Sequence, residues 1–487
     1  MTDRHRAWLR RVALLSAWAV CFGYLGQRFY HARTEFDDKP DTPADRRRAD
    51  GNSGHAQIDF GGQWVMARTV VTGHGRELYH RQRQWQVVRA GYPDAATSEF
   101  ARRHMEPGQT RPSDVPLSDT RTDTVNLMDW FMGQDSPAWS HVATAVGLPL
   151  MSSDPVAESV LMAEAERQVT PDVVTAVSHP AVGGPLYPPV HALLYSPLGL
   201  LAPQDAYLAF QSVSLALTLL AGLGASRLTG GRVWWPVATL GILLFPGYRA
   251  GLDLGQNHAL SLCVLVWGWV LAVRGREWAG GAVWGLLAFK PVWAAAFFLV
   301  PLVFGRWRFC LAMTGTGAAL GLLTLPVVGV QAWFDWLAVG REASALYGVN
   351  RNWVHFSRDL FGLPCRVLID FNLPESARDN PAVAVIGWAT WTTVLVATAT
   401  LVRLRADRAR LVGLGAGFAL LGAFLCCYRF MYYDATLAFL AMAVLMGDPR
   451  PGCGGRSPAS WRRFTGTRTS GCTSSGRTPS PWTRSCS

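Results

Sequence analysis

Long runs of uncharged apolar residues constrain this chain more than any other feature. "HALSLCVLVWGWVLAV" (258–273) and "FCLAMTGTGAALGLLTLPVVGV" (309–330) are two of several. A helix that crosses a bilayer needs ~17–25 such residues. Half of the 487 residues are hydrophobic and 16% are charged. Soluble domains carry about 25% charged residues, so composition points the same way as the clustering. The chain reads as an all-α polytopic membrane protein.

Ten spans are expected, at about 11–29, 205–226, 233–247, 257–273, 278–289, 291–305, 309–330, 382–402, 411–427 and 433–447. The proline-rich "YPPVHALLYSPLGLL" (187–201) reads equally as interfacial, re-entrant or spanning. Arginine orients the set. Arg4, Arg6, Arg10 and Arg11 precede the first span. Arg227 with Arg232, Arg274 with Arg276, Arg306 with Arg308, and Arg403, Arg405, Arg408 and Arg410 fill four short connections. The alternate connections hold only Arg249, Lys290 and Arg429. The positive-inside rule puts the arginine-rich set in the cytoplasm. It also accounts for the net charge of +11 without nucleic acid.

Lys290 is one of two lysines in the chain and interrupts the apolar "LLAFKPVWAAAFFLV" (286–300). Proline after it disfavours helix at the lysine itself. With arginine pairs on both flanks, the chain must go out and return, so Lys290–Pro291 is expected at the tip of a helical hairpin near the outer face. A single 26-residue span would hold the ammonium in mid-bilayer, at a cost on the order of 2.5–3.5 kcal/mol. It would also invert every later connection.

Four regions follow. Residues 1–30 are a cytoplasmic N-terminus and first helix, with a signal-like basic flank but no small-residue cleavage site. Residues 31–186 form a long extracytoplasmic segment. Within it "IDFGGQWVMARTVVTGHGRELY" (58–79) reads as a short amphipathic helix, and "VAESVLMAEAERQV" (156–169) carries a weak helical pattern. Residues 187–447 are the multi-span domain. Residues 448–487 read as a disordered cytoplasmic tail, because 449–487 has no Leu, Ile, Val, Met, Lys, Asp or Glu. A shifted reading frame would give the same bias. Nine cysteines show neither metal-ligand spacing nor a disulfide framework.

The polar residues not explained by solvation or charge flanking share one side. They are Asp59 after the first span, Gln256 and Asn257 in "DLGQNH" (253–258), Lys290, the loop "NRNWVHFSRD" (350–359), and "YRFMYYD" (428–434). Each has a plainer reading. Asp59 serves equally as a helix cap. Lys290 serves equally as a snorkelling side chain. Arg429 and Asp434 serve equally as an ion pair closing two helices. Their convergence on one face carries the functional reading. A carboxylate suits a general base. Lysine and arginine suit a phosphate. Amides and aromatics (Trp64, Tyr187, Trp353, Tyr432) suit sugar hydroxyls and ring faces. Base, phosphate clamp and membrane-level pocket together describe a transferase using a lipid-phosphate sugar. The chain has no Walker loop and no dinucleotide fingerprint, so ATP and NAD are not expected cofactors. It has no outer Asp-x-Asp, so neither is a metal.

The quoted 58–79 and 187–201 stretches, with "LGQNHALSLCVLVWGWVLA" and "WAGGAVWGLLAFKPVWAAAFFLVPLVFGRWR", resemble glycosyltransferase family 87 in identity and order. These are polyprenyl-phosphate-mannose-dependent mannosyltransferase-like proteins of the GT-C superfamily. The resemblance covers about 55–90 and 185–310 well, and the rest to 447 loosely. It implies a GT-C-like bundle and transfer of a hexose, mannose by the family, to an acceptor hydroxyl on the extracytoplasmic face of the plasma or inner membrane. The partners it implies are a polyprenyl-phosphate sugar, a glycan or lipid acceptor, and the membrane. Asp59 matches the family's catalytic base. Lys290 matches the hairpin lysine near the donor phosphate, Gln256 and Asn257 match the Gly-Gln-Asn signature, and Asn352 matches an asparagine of the later outer loop. On the residues' own chemistry, Arg429 is expected as a second phosphate ligand, and Tyr187, Asn352, His355, Arg358 and Asp434 complete the expected substrate-binding set. Asn352 lacks the serine that usually follows it, and 80–185 is longer than the family expects. The alternative from another class is a transporter or flippase of lipid-linked sugars, although no internal repeat is evident.

Overall fold

A computed structural model describes residues 3–36, 56–79, 83, 87, 186–349, 354, 356–370, 378, 380–405 and 410–447. Among them the only regular structure is helical. The helices are α1 (Asp3–Phe36), α2 (Ala56–Val71), α3 (Pro189–Tyr195), α4 (Pro203–Leu228) and α5 (Trp235–Leu243). Then come α6 (Tyr248–Asp253), α7 (His258–Val273), α8 (Glu277–Gly285), α9 (Pro291–Val303) and α10 (Trp307–Val328). Last are α11 (Gln331–Val349), α12 (Gly362–Leu368), α13 (Pro381–Arg405), α14 (Leu414–Leu425) and α15 (Phe439–Met446).

Three described helices are long and apolar enough to cross a bilayer: α4 from Asp205, α10, and α13 to Leu404. Half of α4's apolar window is buried but only 6% of α13's, so α4 is central and α13 faces outward. The outward surfaces carry Leu322, Leu323, Trp388 and Val396. Exposed aliphatic side chains in such density suit lipid rather than water. Four further apolar segments are shorter: His258–Val273, Pro291–Val303, Leu414–Leu425 and Tyr432–Met446. Of the ten expected spans, 205–226, 309–330 and 382–402 fall on the three long apolar helices, and 257–273, 291–305, 411–427 and 433–447 on the shorter ones. The 187–201 segment is α3 followed by a 3₁₀ turn at Leu198–Leu200, too short to cross.

The core forms because helix faces rich in small residues let large aromatics interlock. Trp284 lies stacked on Trp269, and meets Phe297 and Phe309 edge-on. Trp284 Nε1 donates to the Leu265 carbonyl at 2.9 Å, so the indole is buried with its polar atom satisfied. Glycines 280, 281 and 285 on α8 face α7 and α10 closely enough that a Cβ would clash with backbone.

The hairpin around Lys290 is present. α8 continues as a 3₁₀ turn, Leu286–Phe289; Lys290 breaks the helix, and Pro291 opens α9 at a position where its missing N–H costs nothing. Arg306 and Glu277 pair at 2.8 Å, tying the two feet of the hairpin together. Arg232 reaches the Met446 carbonyl at 3.1 Å. These contacts gather arginine-bearing connections at one end of the bundle. The rising arm is about 21 Å long and the falling arm about 20 Å, from standard helical rises. A hydrocarbon core is about 30 Å. Each arm is therefore shorter than that thickness.

Candidate functional site

Lys290 stands at the turn of the hairpin, between the Leu286–Phe289 3₁₀ turn and α9. Its Nζ donates to Asp434 Oδ1 at 2.7 Å, with side chains 11% and 3% exposed. The Tyr433 ring centroid lies 5.7 Å from the ammonium. An ammonium this far from water needs a partner, and Asp434 supplies one.

The pairing differs from the one the sequence offered. Arg429 does not meet Asp434; its Nη1 faces Asp359 Oδ1 at 3.7 Å. Its guanidinium also lies over the rings of Phe361 and Tyr428, at 5.4 and 5.5 Å. Arg429 has φ +58°, a left-handed conformation uncommon outside glycine. The ion pair and the two ring faces offset that strain. Asp359 was not singled out from sequence. Its Oδ1 accepts from the backbone N–H groups of Phe361 and Gly362 at 2.9 and 2.7 Å, satisfying donors at the start of α12. Adjacent to it, Ser357 and Met431 form a β-bridge and the Arg358 N–H donates to the Phe430 carbonyl at 2.9 Å. Arg429 and Asp359 thus clasp the outer loop to the 428–431 turn. The Arg358 side chain is exposed, with Nη1 donating to the Ser357 carbonyl at 2.7 Å.

The Gly-Gln-Asn turn forms the next wall. Gly255 has φ +69°, and a Cβ there would lie 2.6 Å from Phe60 Cβ. Only glycine fits both demands. α2 therefore lies directly on this turn, with Gln63 Nε2 donating to the Gly255 carbonyl at 2.9 Å. Trp64 Nε1 reaches the Leu201 carbonyl at 3.0 Å, and Arg68 reaches that of Gly199 at 3.0 Å. Trp64 is thus a wall residue of α2 rather than a free sugar platform. The expectation of an amphipathic helix fails here: residues 60–67 are all buried. This stretch of α2 is covered because it fills the space between the 187–201 segment and the turn, while Arg68, Val70 and Val71 beyond it are half-buried. Asp59 lies in α2, one residue before Phe60, but its side chain is outside the described residues. So are Asn352, Trp353 and His355 and the whole of 156–169 and 449–487.

Gln256 is 3% exposed, and its Oε1 accepts from the Tyr187 hydroxyl at 2.7 Å. Tyr187 in turn has its carbonyl bonded by the Tyr79 hydroxyl at 2.7 Å. Asn257 precedes α7 in the usual capping position, yet its side chain makes no cap bond. Its Oδ1 and Nδ2 are both buried without a hydrogen-bond partner. His258 Nδ1 lies 3.0 Å from the Gln256 carbonyl. Sequence reading also passed over His191. It stacks between Tyr187 and Tyr195, with ring centroids 4.1 and 4.0 Å away. The signal was legible, since Tyr-x₃-His-x₃-Tyr sets three rings along one helix face.

The structure thus brings α2, Tyr187, Gln256, Asn257, Lys290 and Asp434 into one neighbourhood, and holds Arg429 and Arg358 in a second cluster at the same end. Away from the charges, a small apolar crevice lies between α9, α13 and α14, lined by Val300, Thr398, Ala419 and Cys426 among others. Among known proteins, the model of glycosyltransferase family 87 matches residues 186–427. No curated protein and no solved structure matches the chain.

Proposed function

Residues 186–427 belong to glycosyltransferase family 87, so the chain is a membrane glycosyltransferase; from that premise we propose that it moves a hexose, mannose in our reading, from a polyprenyl-phosphate donor to an acceptor hydroxyl on the extracytoplasmic face of the cell membrane. The observation that carries the reading is the Lys290–Asp434 pair. It sits at a hairpin tip inside the bundle, beside the turn against which the Asp59-bearing helix packs.

The chemistry follows from charge. The acceptor oxygen attacks the anomeric carbon as the bond from that carbon to the phosphate oxygen breaks. Asp59 takes the acceptor's proton. Polyprenyl phosphate departs with one further negative charge, and Lys290 faces that charge. An ammonium has three N–H donors. Asp434 occupies one, which leaves two for a phosphate. Arg429, which faces Asp359 at 3.7 Å, is the second cation at this end. A single displacement inverts the anomeric centre. No cofactor enters, because the donor carries its own leaving group. Gln256, Asn257 and Tyr187 line the sugar side, and Asn352, His355 and Arg358 belong to the acceptor side.

The test uses membranes carrying wild-type protein or Asp59→Asn, supplied with radiolabelled polyprenyl-phosphate mannose. Wild type transfers label to a new product. Asp59→Asn retains donor binding and loses transfer by 10²-fold or more, the ordinary contribution of a positioned base. Equal transport or transfer by both would remove the base from the mechanism.

A further inference from the structure

His191 is fully buried, and neither ring nitrogen has a hydrogen-bond partner. Polar atoms left this way are costly, and native cores rarely keep them without a reason. Both faces of the ring are covered by Tyr187 and Tyr195 at interplanar angles of 11° and 18°. Only the edge, which carries the nitrogens, is open to chemistry. The Phe289 ring centroid is 6.3 Å from it, and Lys290 follows Phe289 in the chain and is near enough for its charge to act on the imidazole.

Asn257 is in the same condition. It is fully buried, and both amide atoms lack partners although the helix N-terminus beside it offers unbonded donors. The two residues are joined through a chain of contacts: His191 stacks on Tyr187, whose hydroxyl bonds Gln256, the neighbour of Asn257. Two elements, α3 and the turn before α7, thus carry unspent donors and acceptors within reach of the Lys290 charge.

We propose that the His191 edge and the Asn257 amide form the hydroxyl-binding subsite for the donor hexose, with His191 as a specificity-determining residue. This rests on the donor reading above. The chemistry selects hydroxyls over phosphate. Beside an ammonium the imidazole stays neutral, with one N–H and one lone pair, and an amide likewise offers both. A sugar hydroxyl needs a donor and an acceptor; a phosphate needs only donors. The subsite is shut in this structure. Tyr187, half-buried and bonded to Gln256, is the side chain whose movement admits the ring.

The experiment measures binding of two probes to purified full-length protein in lipid nanodiscs: a polyprenyl phosphate and its mannosyl ester. His191→Phe keeps the stack and deletes both nitrogens. It is expected to weaken the mannosyl lipid about tenfold, one lost hydrogen bond to a buried partner, and to leave the bare phosphate within about twofold. His191→Gln, which restores a donor and an acceptor, recovers most of the loss. The melting temperature of His191→Phe should not fall, since an unpartnered polar ring becomes apolar. Should His191→Phe not fold, Asn257→Leu makes the same comparison from the opposite wall. Equal losses for both lipids, or none for the mannosyl lipid, overturn the subsite while the donor reading stands. Wild-type protein that binds neither lipid overturns both.

Discussion

Removing either partner of the Lys290–Asp434 pair should damage the fold far more than removing both. At 2.7 Å, two unit charges attract by about 6 kcal/mol in a medium of effective dielectric 20. Taking each ion out of water costs several kcal/mol, so the intact pair nets close to zero. Asp434→Asn leaves an ammonium with an 11% exposed side chain and no counter-charge; Lys290→Met strands a carboxylate that is 3% exposed. Each single variant is expected to lose about 3–5 kcal/mol. The double variant Lys290→Met/Asp434→Leu fills the same space with apolar groups and should stay within about 1 kcal/mol of wild type. The coupling energy is then about 5 kcal/mol or more, readable by denaturant unfolding in detergent followed by tryptophan fluorescence. The double variant also separates folding from function: it should fold, yet fail to bind polyprenyl phosphate. Single variants within about 0.5 kcal/mol of wild type, or a double variant as unstable as the two losses combined, would refute the claim that this pair is desolvated and mutually compensating.

Other outcomes follow from the same geometry. Gly255→Ala should lower stability by about 1–3 kcal/mol, through left-handed strain and contact with Phe60, and should depress transfer by shifting α2; thermal unfolding and label transfer check it. Asp359→Ala should leave Arg429 without its counter-charge and loosen the 357–365 loop, seen as faster amide exchange across α12 with a stability loss of about 3 kcal/mol. Tyr187→Phe removes the bond to Gln256 and should raise KM for the donor severalfold while leaving the fold intact, which steady-state kinetics would read. Cysteines introduced at Gly231 and Gly275 should react with a membrane-impermeant thiol reagent from the same side, and one at Arg358 from the other; a reversed or mixed pattern would break the assigned sidedness.

The sequence by itself determined that this chain is a helical membrane protein and where its hairpin turns. Those conclusions rest on local quantities: the length of apolar runs, the proline after Lys290, and the arginine pairs on either side. It also indicated that Asp59, Gln256, Asn257, Lys290 and Asp434 belong to one end, since sidedness alternates along a chain that crosses repeatedly. Only the tertiary structure decided which charges meet. Arg429 and Asp434 are five residues apart and looked like partners, yet a left-handed backbone at Arg429 turns it to Asp359, 70 positions earlier, and leaves Asp434 to Lys290. Pairing across such separations depends on how short helices pack beside long ones, and composition does not encode that. α2 makes the same point. Its sequence suggested one wet face, but packing against Gly255 and the 199–201 carbonyls leaves all of residues 60–67 buried. Burial is a property of the neighbours that surround a helix, and those neighbours are set by the fold.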